Sequence, residues 1–278
     1  MIAGIVLFNP DPIRLRENIE AIKPQVDKLI LIENGSTDFS YIDNIDFSDL
    51  VYIRNPRSMG IAYALNQILQ YAYDNNHQWA LTLDQDSVVA DNLIVEYEKV
   101  INTPNTGIIC CKTIDRNFKD DELNTYGVKE VNYCITSASY TNVSAWKDVG
   151  GFDTQMIIDW VDWDICIALR KKGFKILKTD KTYILHELGT NTQKKSFLGH
   201  TFLILNRSQF RYYYVARNWI YIGRKWQEES IFKCIVQVLK WLFIALIFEK
   251  NKMENLKAFI KGSFDGLKMK IVYDSLTK

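Results

Sequence analysis

The feature that most constrains this chain is the order of its apolar runs across the first 84 residues. "IAGIVLF" opens it, "KLILIE" follows at 28–33, "LVYI" at 50–53 and "WALTLD" at 79–84. Between them lie segments of a different period. Asp11 followed by Pro12 reads as an N-cap and first-turn pair, opening a helix through about Ile22. In "MGIAYALNQILQYAYDN", Ile61, Ala64, Leu65, Ile68, Leu69 and Ala72 recur at helical spacing. Strand, helix and strand in this alternation predict an α/β fold with a mostly parallel sheet and helices on both faces. Such sheets bind ligands beyond the carboxyl ends of their strands. The polar residues Asn9, Glu33 to Asp38, and Asp84 to Ser87 all fall there.

Further along the pattern is mixed. "GIICCKTI" and "YCITSASYTNVSA" read as strands, "VDWDICIALRKKG" as a helix ended by Gly173, and "FKILK" as another strand. From about Ser208 the chain reads as helical to its end. Two regions are expected, a catalytic α/β domain over 1–206 and a helical, basic and amphipathic region over 207–278. The net charge of +1 offers no argument for a nucleic-acid partner. The charge is uneven, with 12 Lys and Arg against 6 Asp and Glu from Arg217 onward. The five cysteines show no C-x-x-C spacing, which fits a reducing, cytoplasmic setting. "MIAGIVLFNPD" reads as a first strand, since it lacks the basic n-region of a signal peptide. The longest apolar run, "WLFIALIF" at 241–248, falls far short of the roughly 20 residues a membrane span needs.

Four constellations carry chemistry. Asp84 and Asp86, two apart at a strand end, can share one face and hold a hard cation such as Mg²⁺ or Mn²⁺; they can equally be a solvated strand end. Asp159, Asp162 and Asp164 sit just before or inside the first turn of a helix. Capping and the helix dipole favour carboxylates there. The interleaved Trp160 and Trp163 also suit a general base, because desolvation raises a carboxylate pKa. His186, one of only three histidines, is either a packed side chain or a ligand facing those aspartates. The stretch "FRYYYVARN" is either core or, through Arg217, an anion clamp.

Taken in sequence, "VLFNPD", "LIENGSTD", "RNPRSMGIAYALNQILQYA", "LTLDQDS", "GGFD" with "DWVDWDICIALRKKG", "HELGT", "RYYYVARN" and "FIKGSFDGL" resemble the inverting family 2 glycosyltransferases, most closely the bacterial rhamnosyltransferases of polysaccharide synthesis. The resemblance spans nearly the whole chain. It implies a nucleotide-sugar-binding domain of the GT-A type with bound Mg²⁺ or Mn²⁺. Asn9 and Pro10 match the loop against the nucleotide, Glu33 and Asn34 the pair near base and ribose, and Asn55, Gly60 and Asn66 the segment beside the nucleotide. Asp86 matches the main metal ligand, with Asp84 toward ribose or metal and Gln85 beside the donor. Asp162 matches the base, although the family's usual "ED" is Val161-Asp162 here, which leaves Asp159 and Asp164 in contention. His186 matches a histidine that completes the metal site in some members. Trp160 and Trp163 then border donor and acceptor.

The resemblance further implies a donor such as dTDP-rhamnose or a UDP-sugar, with a UDP-hexose or galactofuranose donor as the alternative, and a saccharide acceptor that is often lipid-linked. A nucleotidyltransferase is disfavoured by the absence of glycine in "LFNPDPIRL". A non-catalytic sugar-binding domain would have little use for metal carboxylates beside an acidic cluster. The tail "IFKCIVQVLKWLFIALIF" reads as a helix whose Lys233, Gln237 and Lys240 share one face. It can pack on the protein, form a homodimer through the C-terminal helices, or lie peripherally on the inner face of the cell membrane.

Overall fold

The computed structural model describes residues 1–39, 41, 45, 50–116, 127–186, 193–197, 200–204, 206–228 and 230–276, and of residues 193–203 the backbone alone. "HELGT" beyond His186 therefore lies outside the described residues. The chain forms two units. One comprises Met1–Ile157, Val161–Glu187 and Asp274–Lys278; the other comprises Ile158–Trp160 and Leu188–Tyr273. The boundary thus falls earlier than 206/207, and short pieces are exchanged at 158–160 and at the C-terminus.

The first unit runs β1 (Ile2–Leu7), α1 (Pro12–Ile22), β2 (Lys28–Asn34), β3 (Leu50–Asn55), α2 (Ile61–Asp74), β4 (Trp79–Asp84), β5 (Val88–Val89), α3 (Leu93–Glu98), β6 (Thr106–Asp115), β7 (Val128–Glu130), β8 (Ser139–Asn142), α4 (Val143–Asp148), α5 (Val161–Lys171) and β9 (Lys175–His186). Its sheet has the order β3-β2-β1-β4-β8-β6-β9-β5, with β7 also paired to β9. The first four strands in that order are mutually parallel, as is the β6–β9 pair, while β8 runs antiparallel to both neighbours. β1 is buried along its whole length, as an unbroken apolar run in a helix-covered sheet must be. Asp11 caps α1 as expected, its carboxylate accepting from the Ile13 and Arg14 N–H groups.

Two sequence expectations are corrected. "YCITSASYTNVSA" is not one strand: β8 occupies only Ser139–Asn142, and α4 begins at once. Asn142 is the reason, since its side-chain oxygen takes the Ala145 N–H at 3.0 Å and starts a helix. "FKILK" is the first part of a strand that continues to His186. Along β6 the register jumps from Cys111 opposite Thr179 to Lys112 opposite Tyr183. β9 absorbs the extra residues as a bulge and remains paired far enough to carry His186 to the site.

The second unit contains an antiparallel hairpin, β10 (Gln193–Phe197) and β11 (His200–Ile204), then α6 (Gln209–Trp226), α7 (Ile231–Phe248) and α8 (Lys252–Lys268). The hairpin groups with the helices, because β11 lies against α7. α6 and α8 approach closely through Gly262 and Gly266. A Cβ there would stand 2.3 Å from the Tyr213 carbonyl oxygen and 2.4 Å from that of Arg217, so only glycine fits. Tyr212, Ala216 and Ile220 of α6 form a small core with Cys234, Val238 and Phe259. α7 corrects a third expectation. It adds Ile231–Lys240 to the eight-residue run and becomes an 18-residue helix of mean hydropathy 2.1, long and apolar enough to cross a membrane. Only 17% of it is buried.

Candidate active site

The carboxyl ends of β1, β2, β3 and β4 meet at one edge of the sheet. Parallel pairing sets Leu7 beside Glu33, Asn34 beside Asn55 and Val6 beside Asp84. The loops beyond are tied together by side chains. Asn9 takes a left-handed backbone (φ 45°), and its side-chain oxygen accepts from Thr37 N–H at 2.8 Å. Gln85 pairs with the Phe8 backbone through both amide atoms, accepting at 2.8 Å and donating at 3.2 Å. The loop after β4 is thereby fastened to the loop after β1. Pro10 is buried beside Asn9.

Glu33 is fully buried and accepts from the Ser36 hydroxyl at 2.8 Å and from the Tyr41 phenol. Burial, and then the bond to Glu33, push the Tyr41 phenol far above its usual range, which keeps it a donor. Asn34 accepts from Asn55 at 3.2 Å and from Met59 N–H at 3.1 Å, and donates to the Gly60 carbonyl at 3.2 Å. Gly60 lies at φ +88°, and a Cβ there would stand 2.8 Å from Ile157 Cα. Asn66 is placed differently. It is buried within α2, accepts from the Trp146 indole N–H and the Phe152 N–H at 2.9 Å each, and donates to the Phe152 carbonyl at 2.8 Å. Its side chain staples α2 to the 146–152 segment.

Asp84, Asp86 and His186 come together as expected: one donor atom from each lies within 4.8 Å of the others. β5 is the cause, since it pairs with β9 and sets Val88 opposite Leu185, returning His186 to the loop that carries Asp86. His186 Nδ1 lies 3.8 Å from an Asp86 oxygen and 3.1 Å from the Ser87 hydroxyl. Ser87 is fully buried and receives a hydrogen bond from Ser137 at 2.8 Å, and Ser137 in turn accepts from Asp84 N–H at 3.0 Å. Two carboxylates and one imidazole, partly exposed and with the imidazole held by the Ser87 hydroxyl, suit a divalent cation such as Mg²⁺ or Mn²⁺ that keeps open positions. Sequence reasoning missed Ser87 and Ser137 as supports. Ser87 follows the D-Q-D run directly, but Ser137 is 50 residues distant and carries no local signal.

Ser137 also lines a cavity of about 250 Å³, together with Asp162, Trp163, Tyr133, Lys178 and the thiols of Cys110, Cys111 and Cys134. The Tyr133 and Trp163 rings stack with centroids 3.9 Å apart. Asp162 occupies the first turn of α5 and accepts from Trp163 N–H at 2.9 Å. The three aspartates of the acidic cluster are thus separated. Asp162 faces the cavity, Asp164 is buried at 3% exposure, and Asp159 belongs to the second unit. There the Arg211 Nε donates to Asp159 at 3.1 Å, and Arg207 stands at 3.7 Å. Trp160 goes with Asp159, its indole donating to the Val215 carbonyl at 3.2 Å and its ring 4.5 Å from that of Trp219. Arg217, also in the second unit, donates to Asn218 at 2.9 Å and lies over the Tyr214 ring at 4.4 Å.

All five cysteines are free thiols. Sulfur contacts from Cys110 first, then Cys166, hold the Cys134 thiol well below its ordinary pKa. Burial pushes Cys111 up to about 12.

A model of the family described as "Glycosyl transferase family 2" matches residues 4–175. The chain is 26% identical over 285 residues to the dTDP-rhamnosyl transferase RfbF of Shigella flexneri, covering 96% of this chain and 95% of that protein. Among solved structures, GalNAc-T7 with UDP, GalNAc and Mn²⁺ superposes with a TM-score of 0.64 at 14% identity, over 96% of this chain and 55% of its own, so this chain spans about half the length of that protein. TarS 1–349 of S. aureus in complex with UDP-GlcNAc gives 0.61 at 13% identity, over 96% and 80% of the two chains. The mannosyltransferase PcManGT of Pyrobaculum calidifontis, in complex with GDP-Man and Mn²⁺, gives 0.59 at 13% identity, over 95% and 73%. These structural likenesses are of fold, and they agree with the GT-A arrangement of a mostly parallel sheet followed by helices. The family match runs from β1 to the first residue of β9, more than half of the chain and most of the site-bearing strands. The chain belongs to glycosyl transferase family 2 and is a glycosyltransferase.

Proposed function

We propose that this enzyme moves rhamnose from dTDP-rhamnose to a hydroxyl of a lipid-linked bacterial saccharide, with inversion at the anomeric carbon. The observation that carries the reading is the chain of bonds through Ser137, which joins the Asp84–Asp86–His186 group to the cavity containing Asp162. Support for rhamnose comes from the relative RfbF, a dTDP-rhamnosyl transferase.

Asp84, Asp86 and His186 are the residues that would hold Mg²⁺ or Mn²⁺, and a cation there supplies positive charge to stabilise a departing diphosphate. Asp162 accepts the proton of the acceptor hydroxyl as that oxygen bonds to the anomeric carbon. The sugar–phosphate bond breaks on the opposite face, and the diphosphate carries away the electron pair. One displacement inverts the centre. The stacked Tyr133 and Trp163 rings at 3.9 Å offer an apolar wall against which a deoxysugar or acceptor ring can rest while the cavity excludes water. Asn9, Gln85 and Asn34 fix the loops that would border the nucleotide.

The test is nucleotide release measured by mass spectrometry across a donor panel with Mn²⁺, with Mg²⁺ and with chelator. Turnover is expected with dTDP-rhamnose, is lost with chelator, and is abolished in Asp86→Ala at an unchanged melting temperature. Faster turnover with a UDP-hexose or a galactofuranose donor would overturn the donor assignment. Full turnover in chelator would overturn the metal.

A further inference from the structure

α7 and α8 carry an apolar surface that the catalytic reading does not use. On α7 only Cys234, Val238 and Ala245 are buried; Ile231, Phe232, Ile235, Leu239, Phe243 and Ile247 are exposed, Phe232 by 71%. On α8 the exposed apolar residues are Met253, Ile260, Phe264 and Leu267. At about 100° per residue, the exposed apolar positions of α7 fall within a sector of about 160°, and Lys233 and Lys240 lie just beyond its edge. On α8 the four apolar residues span roughly 60°, and Lys257, Lys268 and Lys261 follow at the same side. Between the helices runs a groove of about 260 Å³ lined by apolar side chains and Ser263.

The charge tells what covers this surface. Residues 231–270 contain eight lysines and three acids. Two of the acids are engaged internally: Glu249 is buried and accepts from Tyr212, and Asp265 accepts from Tyr213 at 2.7 Å. The lysines named above are all exposed. Apolar faces edged by lysine on two successive helices match a leaflet of acyl chains beneath anionic head groups, where lysine stems lie along the chains and the ammonium groups reach the phosphates. A second copy of the chain would set these lysines against one another.

We infer that α7 and α8 together dock the protein on an anionic bilayer surface, with acyl chains entering the groove between them. The inference does not rest on the donor or acceptor assignment, because docking needs no turnover.

The experiment is flotation of the full-length protein with phosphatidylglycerol/phosphatidylcholine vesicles or with phosphatidylcholine alone. Binding is expected with the anionic vesicles at low salt, at least ~10-fold above that with phosphatidylcholine, and is released in part at high salt. Leu239→Glu/Phe264→Glu and Lys257→Glu/Lys261→Glu each lower binding at least ~10-fold with the melting temperature unchanged, since all four positions are exposed. Should the first pair melt early, Leu239→Ser/Phe264→Ser replaces it. Wild-type protein left at the bottom at low salt overturns the inference. So does an apolar pair variant that floats as wild type, which would indicate charge adsorption alone. Retention through high salt and alkaline carbonate overturns it in favour of a spanning α7. A dimer in sedimentation that the apolar variants dissociate, without vesicle binding by the wild type, overturns it in favour of self-association.

Discussion

Replacing Asn66 with alanine separates two accounts of one residue. Similarity to the family implies a side chain beside the nucleotide, whereas the fold gives it three internal bonds. The substitution removes the partner of the Trp146 indole N–H, the Phe152 N–H and the Phe152 carbonyl. Trp146 is 0% exposed and Phe152 2%, so bulk water does not reach the orphaned groups. A buried polar group left without its partner costs about 1–3 kcal/mol. Taking the low end for each gives a loss of about 3 kcal/mol. In a domain of this size, 1 kcal/mol moves the melting temperature by about 2–4 °C, so the transition of the first unit should fall by about 6–12 °C. Differential scanning calorimetry reads that shift, and steady-state kinetics on the folded variant reads the donor KM, expected to stay within about twofold because the side chain does not open to the strand ends. A melting temperature within about 2 °C of wild type, with a donor KM raised tenfold, would refute this reasoning and return Asn66 to the nucleotide.

Asp162→Asn should lower kcat at least ~10²-fold with little change in donor KM, while Asp159→Asn acts through stability by releasing Arg211; a crippled Asp159→Asn beside a mild Asp162→Asn, both folded, refutes the assignment of the base. Ser87→Ala should weaken Mn²⁺ binding about 10–100-fold by freeing the His186 ring, read by the metal concentration giving half-maximal activity, and an unchanged value counts against the support role. Sulfur contacts hold the Cys134 thiol below its ordinary pKa, whereas burial pushes Cys111 up to about 12, so Cys134 gives up its proton at lower pH than Cys111. Iodoacetamide at pH 7 should therefore label Cys134 first and inactivate the enzyme by filling the cavity beside Asp162, which peptide mass spectrometry checks; Cys111 labelled first would contradict the ordering.

The parallel half of the sheet was legible because each of its strands is a separate apolar run and each helix either opens on a cap or keeps an unbroken period. Asp11-Pro12 marked α1 without any tertiary information, and the D-Q-D run marked the two carboxylates that meet His186. The losses occurred where one side chain overrides a pattern. "YTNVSA" has strand composition on both sides of Asn142, and only the cap reveals the helix. The extent of β9 was hidden because continuation past Thr179 depends on a bulge against β6. Helical phase could not place Asp159 relative to Asp162 and Asp164, since Asp159 and Trp160 lie at φ 61° and 68°, outside any helix. Ser137 needed the β8 pairing to bring it under Asp84.

Those two left-handed residues bear on how freely this enzyme's parts could be exchanged. Each costs about 1–2 kcal/mol of backbone strain, and what retains them comes from α6: Asn218 donates to the carbonyls of Ile158 at 2.8 Å and Asp159 at 2.9 Å, and Arg211 holds the Asp159 carboxylate. The next residue in the chain, Val161, begins the helix whose first turn carries the proposed base. A gene fragment ending at codon 206 would lose that retention and release the strain immediately upstream of Asp162. The helical tail is therefore not a detachable module, and recombination between relatives would preserve the turn that carries the proposed base only by inheriting α6 together with the sheet.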